Sequence, residues 1–436
     1  MAGEWTTFRL GEVCTKIGSG ATPRGGSDVY LNSGHYTLIR SQNVYNEGFH
    51  HDGLAFIDEK HAAELSNVEV KTSDVLLNIT GDSVARCCQV DPAILPARVN
   101  QHVAIIRPDN KKLNPLFLRY FLVSPEMQMQ LLSWAGSGGT RNALTKGMIE
   151  SLEVFAPEDI DEQRAIAHIL GTLDDKIELN RRMNETLEAM ARAIFKSWFV
   201  DFDPVRAKAE GCDPGLPKPI ADLFPDRFQD SKLGEIPAGW EVGTLGDVAI
   251  HPRRGVQPRE IDPSVPYIAL EHMPRCCIAL ADWGVSDGLE SNKFEFKKGE
   301  ILFGKLRPYF HKVGVAPLAG VCSTDIVVVI PRTEKWFAFV LGHISSMAFV
   351  EHTNAGSTGT KMPRTSWSEM ERYAIVIPPA VVAEAFTRQV RPAVDRMISS
   401  IHESHTLAAL RDVLLPKLLS GEIRIKSAEK FVGAGV

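Results

Sequence analysis

The sequence has no surplus of positive charge. Its 48 lysine and arginine residues are outnumbered by 54 aspartate and glutamate residues, which gives a formal net charge of -6 at pH 7. A protein that binds nucleic acid by bulk electrostatic attraction carries a net positive charge, because phosphate neutralisation supplies most of that binding. Any binding of DNA must therefore rest on local groups of basic and polar side chains, with further phosphate neutralisation from a partner.

Long apolar runs and a cysteine framework are also missing. No run approaches the ~20 apolar residues of a membrane span, and the first ten residues lack the charged-then-apolar order of a secretory signal. The seven cysteines are an odd number. They include the adjacent pairs Cys87 with Cys88 and Cys276 with Cys277, but none has the spacing of a zinc site. We interpret them as free thiols and predict a cytoplasmic protein.

Motifs for catalysis occur only as fragments. Residues 299–306 approach a phosphate-binding loop, but Leu306 occupies the position where a serine or threonine would bind Mg²⁺. Residues 225–232 match part of a nuclease motif, and residues 114–117 match part of a methyltransferase motif without its glycine-rich cofactor loop. We therefore expect that the chain is not an enzyme, has no catalytic residues and binds no metal or cofactor.

A long amphipathic helix is predicted between residues 157 and 204. Apolar side chains and two asparagines recur there at alternating steps of four and three, which is the period of a helix that packs along another helix. These positions are Ile166, Leu170, Leu173, Ile177, Asn180, Asn184, Leu187, Ala191, Ile194 and Trp198. Neither glycine nor proline falls between Thr172 and Phe202. We expect one continuous helix of about 35–40 residues, roughly 50–60 Å long.

The chain contains an internal repeat. Five segments of the first half match five segments of the second half in the same order, which chance explains poorly. The matched pairs are residues 5–13 and 240–248, 74–77 and 300–303, 103–108 and 326–331, 135–141 and 355–361, and 154–157 and 375–378. Each half therefore consists of a globular domain followed by a long helix, and the second helix is predicted over residues 382–419.

From the repeat we predict an α+β fold with two similar globular domains, separated by two long helices that form an antiparallel coiled coil. The predicted segments are residues 1–157 (first domain), 158–200 (central helix), 201–236 (a linker rich in proline and glycine), 237–378 (second domain), 379–424 (C-terminal helix) and 425–436 (tail). Asn180, Asn184 and His405 are polar positions of the two helices. They either fix the register of the helices or are ordinary surface polarity.

Several motifs resemble the DNA specificity subunit of type I restriction-modification enzymes. Residues 195–211 are similar to the central conserved region of that family, and residues 414–424 to its C-terminal conserved region. Residues 18–23, 100–108 and 136–145 resemble segments that recur in its target-recognition domains. Together with the duplication, the resemblance extends over essentially the whole chain.

The resemblance implies a division of labour between subunits. Each globular domain would read one half of a split, asymmetric site in double-stranded DNA, and the length of the helices would set the unread gap. The helices would also bind two methylation subunits, which carry S-adenosylmethionine. Two motor-nuclease subunits, which use ATP and Mg²⁺, would join for cleavage. This chain would be the non-catalytic reader of the site.

Candidate DNA-binding residues were chosen among loop positions, because loops on a rigid scaffold commonly carry recognition. Arginine and lysine suit guanine, whereas asparagine and glutamine suit adenine. The candidates in the first domain are Arg24, Arg40, Ser41, Gln42, Asn43, Arg141 and Asn142. Those in the second domain are Arg253, Arg254, Gln257, Arg259, His272, Lys305, Arg307, Lys361 and Arg364. For each residue, a solvated charge or a turn hydrogen bond is the alternative.

Trp198 and Phe199 lie at the end of the predicted central helix. They are candidate residues for binding a methylation subunit, but we favour the alternative that they pack the helix on the neighbouring domain. Two other functions stay open at this point. The chain could be a coiled-coil scaffold that recruits proteins without reading DNA, which sequence-selective DNA binding would exclude. It could also be a solitary methyltransferase, which failure to bind S-adenosylmethionine alone would exclude.

Overall fold

The computed structural model of the protein describes residues 4–136, 142–359, 362–425 and 428. These residues form two compact units. Unit 1 consists of the described residues of Met1–Lys176 and Leu407–Val436, and unit 2 of those of Ile177–Thr406. Unit 1 is therefore built from two separate stretches of chain, whereas unit 2 is continuous in sequence.

Unit 1 combines short strands with short helices. Its strands are β1 (Trp5–Arg9), β2 (Cys14–Ser19), β3 (Tyr36–Ile39), β4 (Ala55–Ile57), β5 (Glu69–Val70), β6 (Val75–Asn78), β7 (Cys87–Gln89), β8 (Ala97–Val99), β9 (Val103–Pro108) and β10 (Glu153–Pro157). Its helices are α1 (Leu10–Val13), α2 (Glu59–Glu64), α3 (Pro115–Val123), α4 (Pro125–Gly136) and α5 (Lys146–Glu150), followed by the first part of the long helix α6 (Ile160–Phe199).

The described strands of unit 1 form two four-stranded sheets and one two-stranded ribbon. The first sheet has the antiparallel order β2-β9-β6-β7, and the second has the order β4-β3-β8-β5, in which β3 and β8 run parallel. The ribbon pairs β1 with β10. Every residue of β6 is buried, because one face of its sheet shares a core with the second sheet and the other face is covered by α3. This double covering explains the continuous apolar run of β6.

Unit 2 repeats this mixture. Its strands are β11 (Phe228–Ser231), β12 (Gly234–Pro237), β13 (Glu241–Thr244), β14 (Ala249–Ile250), β15 (Gly255–Val256), β16 (Pro266–Ile268), β17 (Gly284–Val285), β18 (Lys293–Phe296), β19 (Ile301–Gly304), β20 (Val313–Val315), β21 (Gly320–Cys322), β22 (Ile326–Pro331) and β23 (Ala374–Ile377). Its helices are α7 (Asp203–Ala209), α8 (Lys218–Ala221), α9 (Leu245–Val248), α10 (Phe337–Ile344), α11 (Met347–Ala355), α12 (Trp367–Met370) and most of α13 (Ala380–Leu419).

The strand order confirms the internal repeat. In unit 2 the order β14-β22-β19-β20 matches the first sheet of unit 1, and β17-β16-β21-β18 matches the second, with β15 added at one edge. The parallel pair β16 and β21 corresponds to β3 and β8, and the ribbon of β13 with β23 corresponds to that of β1 with β10. The fold is therefore α+β and duplicated.

An acidic side chain holds the same turn in both units. In unit 1, Asp74 accepts a hydrogen bond from the backbone of Lys71 and pairs with Arg107. In unit 2, Glu300 accepts from the backbone of Lys297 and pairs with Arg254. The repeat therefore extends to the local polar contacts just before β6 and β19.

The long helices pair in an antiparallel direction within each unit. In unit 1, Arg411 of α13 binds Asp174 of α6 at 2.7 Å. In unit 2, Asn180 of α6 donates to the carboxylate of Glu403 at 2.9 Å, and Phe195 lies against Phe386 further along both helices. Residues later in α6 therefore contact residues earlier in α13, so the two helices run antiparallel, as predicted from the sequence. The described positions of the predicted seam of α6 are buried or half-buried.

The polar seam residues behave differently from one another. Asn180 and Asn184 are buried, and Asn180 bonds across to α13, which supports a role in register. His405 contacts the globular part of unit 2 instead. Its Nε2 donates to the carbonyl of Ala281, and its ring stacks on Trp283 with 4.2 Å between the ring centres. His405 thus attaches α13 to the globular part of unit 2.

Residues 201–236, which the sequence analysis treats as a linker, carry α7, α8 and the hairpin of β11 with β12. Phe202, Val205 and Phe224 from this stretch are buried in the core of unit 2. The prolines and glycines of the stretch therefore separate short elements that pack on unit 2. The sequence pattern did not reveal this packing, because the apolar residues are too few to show a period.

Candidate nucleic-acid interface

A cleft of about 880 Å³, lined mainly by polar residues, opens in unit 1. Four segments form it: the turn after β3, the loop between β6 and β7, the loop between β8 and β9, and the segment before α5. Ser41, Gln42 and Asn142, which the sequence analysis predicted as DNA-binding residues, lie together in its wall. Arg86 and His102 line the same cleft and were not among the residues predicted from the sequence.

The turn after β3 is built by Asn43. This residue is fully buried, and its Oδ1 accepts a hydrogen bond from the backbone N–H of Arg40 at 3.1 Å. Its Nδ2 donates to the carbonyls of His50 and Asp52. The amide group of Asn43 is therefore engaged in folding the turn, which is the ordinary alternative that the sequence left open.

Gln42 and Arg40 meet at one backbone carbonyl. Gln42 is exposed, and its Nε2 donates to the oxygen of Gly53 at 3.1 Å. The guanidinium of Arg40 donates to the same oxygen and lies over the ring of Tyr30 at 5.5 Å. Arg24 is also exposed, and no hydrogen bond or ion pair of its side chain occurs within the described part of the chain.

Aromatic and basic groups also line the cleft. The guanidinium carbon of Arg86 lies 4.5 Å from the centre of the Tyr45 ring, and that ring stacks on His50 at 4.0 Å. His102 is paired through its two ring nitrogens with Thr80 and Gln101. The only clue in the sequence to Arg86 is its place in the loop that follows the repeated segment 74–77.

Unit 2 has the same turn with different chemistry. His272 takes the place of Asn43: its Nδ1 accepts from the backbone N–H of Ala269 at 2.9 Å. Asn142 corresponds to Pro363. The backbone N–H of Gly81 donates to the backbone carbonyl of Asn142, and that of Arg307 donates to the backbone carbonyl of Pro363. The two units thus share a scaffold and differ in the side chains that it presents.

The basic candidates of unit 2 fall into two groups. Arg254 pairs with Glu300, and Arg364 pairs with Asp325 at 3.1 Å, so both carry a structural contact. The remaining candidates lie on loops and have no ion pair among the residues that the structure describes. They are Arg253, Gln257, Arg259, Lys305 and Arg307.

Backbone strain occurs at two of these positions. Arg253 and Arg307 have φ angles of 47° and 51°, in the left-handed region that residues other than glycine rarely adopt. The guanidinium of Arg307 also lies over the ring of Phe310. Such strain occurs often at functional sites, where it fixes the direction of a side chain.

Burial and neighbouring cations lower the pKa values of two basic side chains in unit 2. Burial lowers the pKa of Lys312, and the charge of Arg275 lowers it further. Burial also lowers the pKa of His251, and the nearby Arg253 and Lys305 act in the same direction. His251 is therefore a neutral ring at the edge of a cluster of cations.

The remaining predicted residues are either outside the described part of the chain or buried. Arg141 and Lys361 lie outside the described residues. Trp198 and Phe199 are buried in the core of unit 2, where Trp198 contacts Phe224 at 5.1 Å and Phe199 contacts Phe339 at 5.0 Å. Packing of the helix end on the neighbouring domain accounts for both aromatic side chains.

The described residues contain no group of three or more histidine, cysteine, aspartate or glutamate side chains that could hold a metal ion. None of their helices is long and apolar enough to cross a membrane.

The chain is similar to known proteins over most of its length. Residues 2–189 match the family described as Type I restriction modification DNA specificity domain. The Type I restriction enzyme HindI specificity subunit of Haemophilus influenzae is 26% identical over 96% of this chain and 100% of its own length. The Type I restriction enzyme MjaIX specificity subunit of Methanocaldococcus jannaschii is also 26% identical, over 70% of this chain and 69% of its own.

A solved structure shares the fold. The crystal structure of the type I restriction-modification system S subunit from M. genitalium aligns over 95% of this chain and 96% of its own, with a TM-score of 0.57 and 13% sequence identity. At this identity the likeness concerns the fold alone. It agrees with the duplicated α+β architecture and the two long helices described above.

Proposed function

We propose that this chain is a type I restriction-modification DNA specificity subunit and that it reads a bipartite, asymmetric DNA site with one globular domain for each half-site. The proposal is supported by the family match over residues 2–189 and by the specificity subunits that are 26% identical over 70% and 96% of the chain. The reading domains are residues 1–157 and 237–378. The family assignment favours this function over a scaffold that does not read DNA.

The observation that carries the proposal is the duplication of one strand order with different side chains at the loops. Two copies of one scaffold can bind two stretches of duplex in a similar manner. An asymmetric site additionally requires that the two copies recognise different bases. Asn142 in unit 1 and Pro363 in unit 2, at corresponding positions, are one example of that difference.

The proposed DNA-contacting residues are the predicted ones whose side chains form no hydrogen bond or ion pair within the described residues, together with Gln42, which is exposed although its Nε2 donates to Gly53. In unit 1 they are Arg24, Ser41, Gln42 and Asn142; in unit 2 they are Arg253, Gln257, Arg259, Lys305 and Arg307. Arg40, Asn43, Arg254, His272 and Arg364 hold the loops in place through internal contacts. The low net charge fits a reader that depends on these few contacts.

In this proposal, partner subunits catalyse methylation and cleavage. Two methylation subunits bind the long helices and carry S-adenosylmethionine, and two motor-nuclease subunits use ATP and Mg²⁺. This chain directs both activities to the site without catalysing either, and it does so in the cytoplasm, where the DNA of the cell lies.

The test is a genome-wide map of modified bases in a restriction-free bacterium that expresses this chain with its cognate methylation subunit. We expect a single split motif, modified on both strands at positions about one helical turn apart. A well-assembled complex that modifies no defined motif would refute the proposal. Expression of the methylation subunit alone is the control and should give no motif.

A further inference from the structure

Arg86 lines the unit 1 cleft and has no carboxylate partner among the residues that the structure describes. No ion pair and no side-chain hydrogen bond of Arg86 occurs within the described residues, although its side chain is half-buried. Its guanidinium carbon lies 4.5 Å from the centre of the Tyr45 ring. A cation–π contact attracts the charge but uses none of the five N–H donors.

The backbone around Arg86 is held firmly. Ala85, the preceding residue, has a φ of 73°, a strained value for a residue with a Cβ atom. Its carbonyl accepts a hydrogen bond from Nε2 of Gln128 at 2.9 Å. The N–H of Arg86 donates to Ser83, and its carbonyl accepts from Asn78. The loop therefore fixes the direction in which the Arg86 side chain leaves the backbone.

The surface under Arg86 is equally fixed. Asn46, next to Tyr45, accepts from the backbone N–H of Cys87 at 2.9 Å through its Oδ1. The carbonyl of Asn46 accepts from Nη2 of Arg119, and Nη1 of Arg119 donates to Asp174. Tyr45 and the backbone on both sides of Arg86 thus belong to one network, which prepares the guanidinium for a ligand.

The corresponding position of unit 2 also carries a cation, but this cation bonds within the protein. Lys312 occupies the place of Arg86, since Gly304 donates to Lys312 as Asn78 donates to Arg86. The residue before it, His311, again has a positive φ, of 50°. The ammonium of Lys312 donates to the carbonyl of Leu270. The cation of unit 2 therefore makes a structural hydrogen bond, whereas the guanidinium of Arg86 makes none with the residues that the structure describes.

We propose that Arg86 reads a guanine in the half-site bound by unit 1, by donating two parallel hydrogen bonds to the O6 and N7 atoms of that base in the major groove. The planar guanidinium matches this pair of acceptors, and Tyr45 holds it without using its donors. The inference rests on the proposed function and extends it, since it names a specificity-determining residue and the base that this residue recognises.

The experiment measures binding of the complex of this chain and its methylation subunits to duplexes that carry the mapped site. Each guanine in turn is replaced by 7-deazaguanine, which lacks the N7 acceptor and still pairs with cytosine. For one guanine of one half-site, we expect the replacement to weaken binding of the wild-type complex about 10- to 100-fold. At the same guanine, it should change binding of the R86A complex by less than about two-fold, because the contact is already lost.

Two further variants complete the design. R86K keeps the charge and loses the planar pair of donors, so it should resemble R86A at that guanine and differ from it in overall affinity. R9A is the matched control, because Arg9 is an exposed arginine of β1 in the same unit, outside the cleft. Its complex should keep the wild-type response to every replacement. Circular dichroism and gel filtration establish that each variant folds and assembles.

The outcomes separate this inference from the proposed function. If R86A responds to every replacement as the wild type does, Arg86 reads no guanine. If R86A weakens binding to all sequences equally and reduces the salt dependence of binding by about one counterion, Arg86 contacts a phosphate and the inference is also wrong. If the wild-type complex itself prefers no sequence, the proposed function fails.

Discussion

The carboxylate of Asp174 and the guanidinium of Arg411 are joined by a hydrogen bond of 2.7 Å within unit 1. The same carboxylate accepts hydrogen bonds from Arg119 at 2.8 Å and from the hydroxyl of Tyr120 at 2.7 Å. Burial, followed by the charge of Asp174, raises the pKa of Tyr120 above its usual range, so the phenol remains a donor. One acidic residue of α6 thus connects α3 with α13.

Removal of this carboxylate should destabilise unit 1. The side chain of Arg119 is only 6% exposed, so D174A leaves a buried cation without its counter-charge. We expect the free energy of unfolding to fall by about 3–5 kcal/mol, as measured by urea denaturation. R181A is the control, because Arg181 forms only exposed ion pairs on α6, and it should cost less than about 1 kcal/mol. Equal losses for the two variants would contradict the prediction.

His343 should make the stability of unit 2 depend on pH. It is buried against Phe195 and Phe339, and burial lowers its pKa to about 3. An unfolded histidine has a pKa of about 6.5, so between these two values the unfolded state binds more protons than the folded one. The free energy of unfolding should therefore be fully retained above about pH 6.5 and should fall as the pH decreases toward 3.

The variant H343L tests this prediction, because leucine cannot be protonated. Its unfolding free energy should decline less between about pH 7 and about pH 4.5 than that of the wild type. A part of the decline should remain, because burial also lowers the pKa values of His251 and His311. Parallel curves for the two proteins would show that His343 does not contribute.

Gly20 and Gly18 should respond differently to alanine. A Cβ atom on Gly20 would lie 1.7 Å from the carbonyl oxygen of Val99, whereas one on Gly18 would have no heavy atom within 4 Å. G20A therefore forces the backbone apart beside β8 and should cost about 2 kcal/mol or more. G18A should change the free energy of unfolding by less than about 0.5 kcal/mol. Equal free energies of unfolding for G20A and G18A in chemical denaturation would contradict this prediction.

Exchange of residues 1–157 for the corresponding domain of another specificity subunit should change one half-site only. The reason is that unit 1 and unit 2 each have their own sheets and core. A map of modified bases in cells that carry the hybrid should show a new sequence in one half of the motif and the old sequence in the other. A change in both halves would mean that the domains do not read independently.

The long helices and the repeat could be predicted from the sequence because their signals are local. The seam from Ile166 to Trp198 alternates steps of four and three, and the structure has one helix, Ile160–Phe199, over that stretch. Strands such as Val103–Pro108 recur in the second half as Ile326–Pro331, and both occupy the same place in their sheets. A period or a recurrence needs no knowledge of distant contacts.

The cleft could not be predicted in this way, because loops that are far apart in the sequence form it. Arg86 has no motif of its own, and its role depends on Tyr45, which lies in a different loop. The sequence likewise could not separate Gln42, which is exposed, from its neighbour Asn43, which is buried and holds the turn. The chemistry of an amide side chain is the same in both cases; only burial and hydrogen bonding distinguish them.

The division of unit 1 into two stretches of chain has a consequence for its synthesis. The ribosome synthesises Ile177–Thr406, which is all of unit 2, before the segment of α13 that belongs to unit 1. Unit 2 can form its core while unit 1 still lacks the buried side chains of Leu414 and Leu418. Asp174 also remains without Arg411 until then. The domain that is translated first is therefore the one that is completed last.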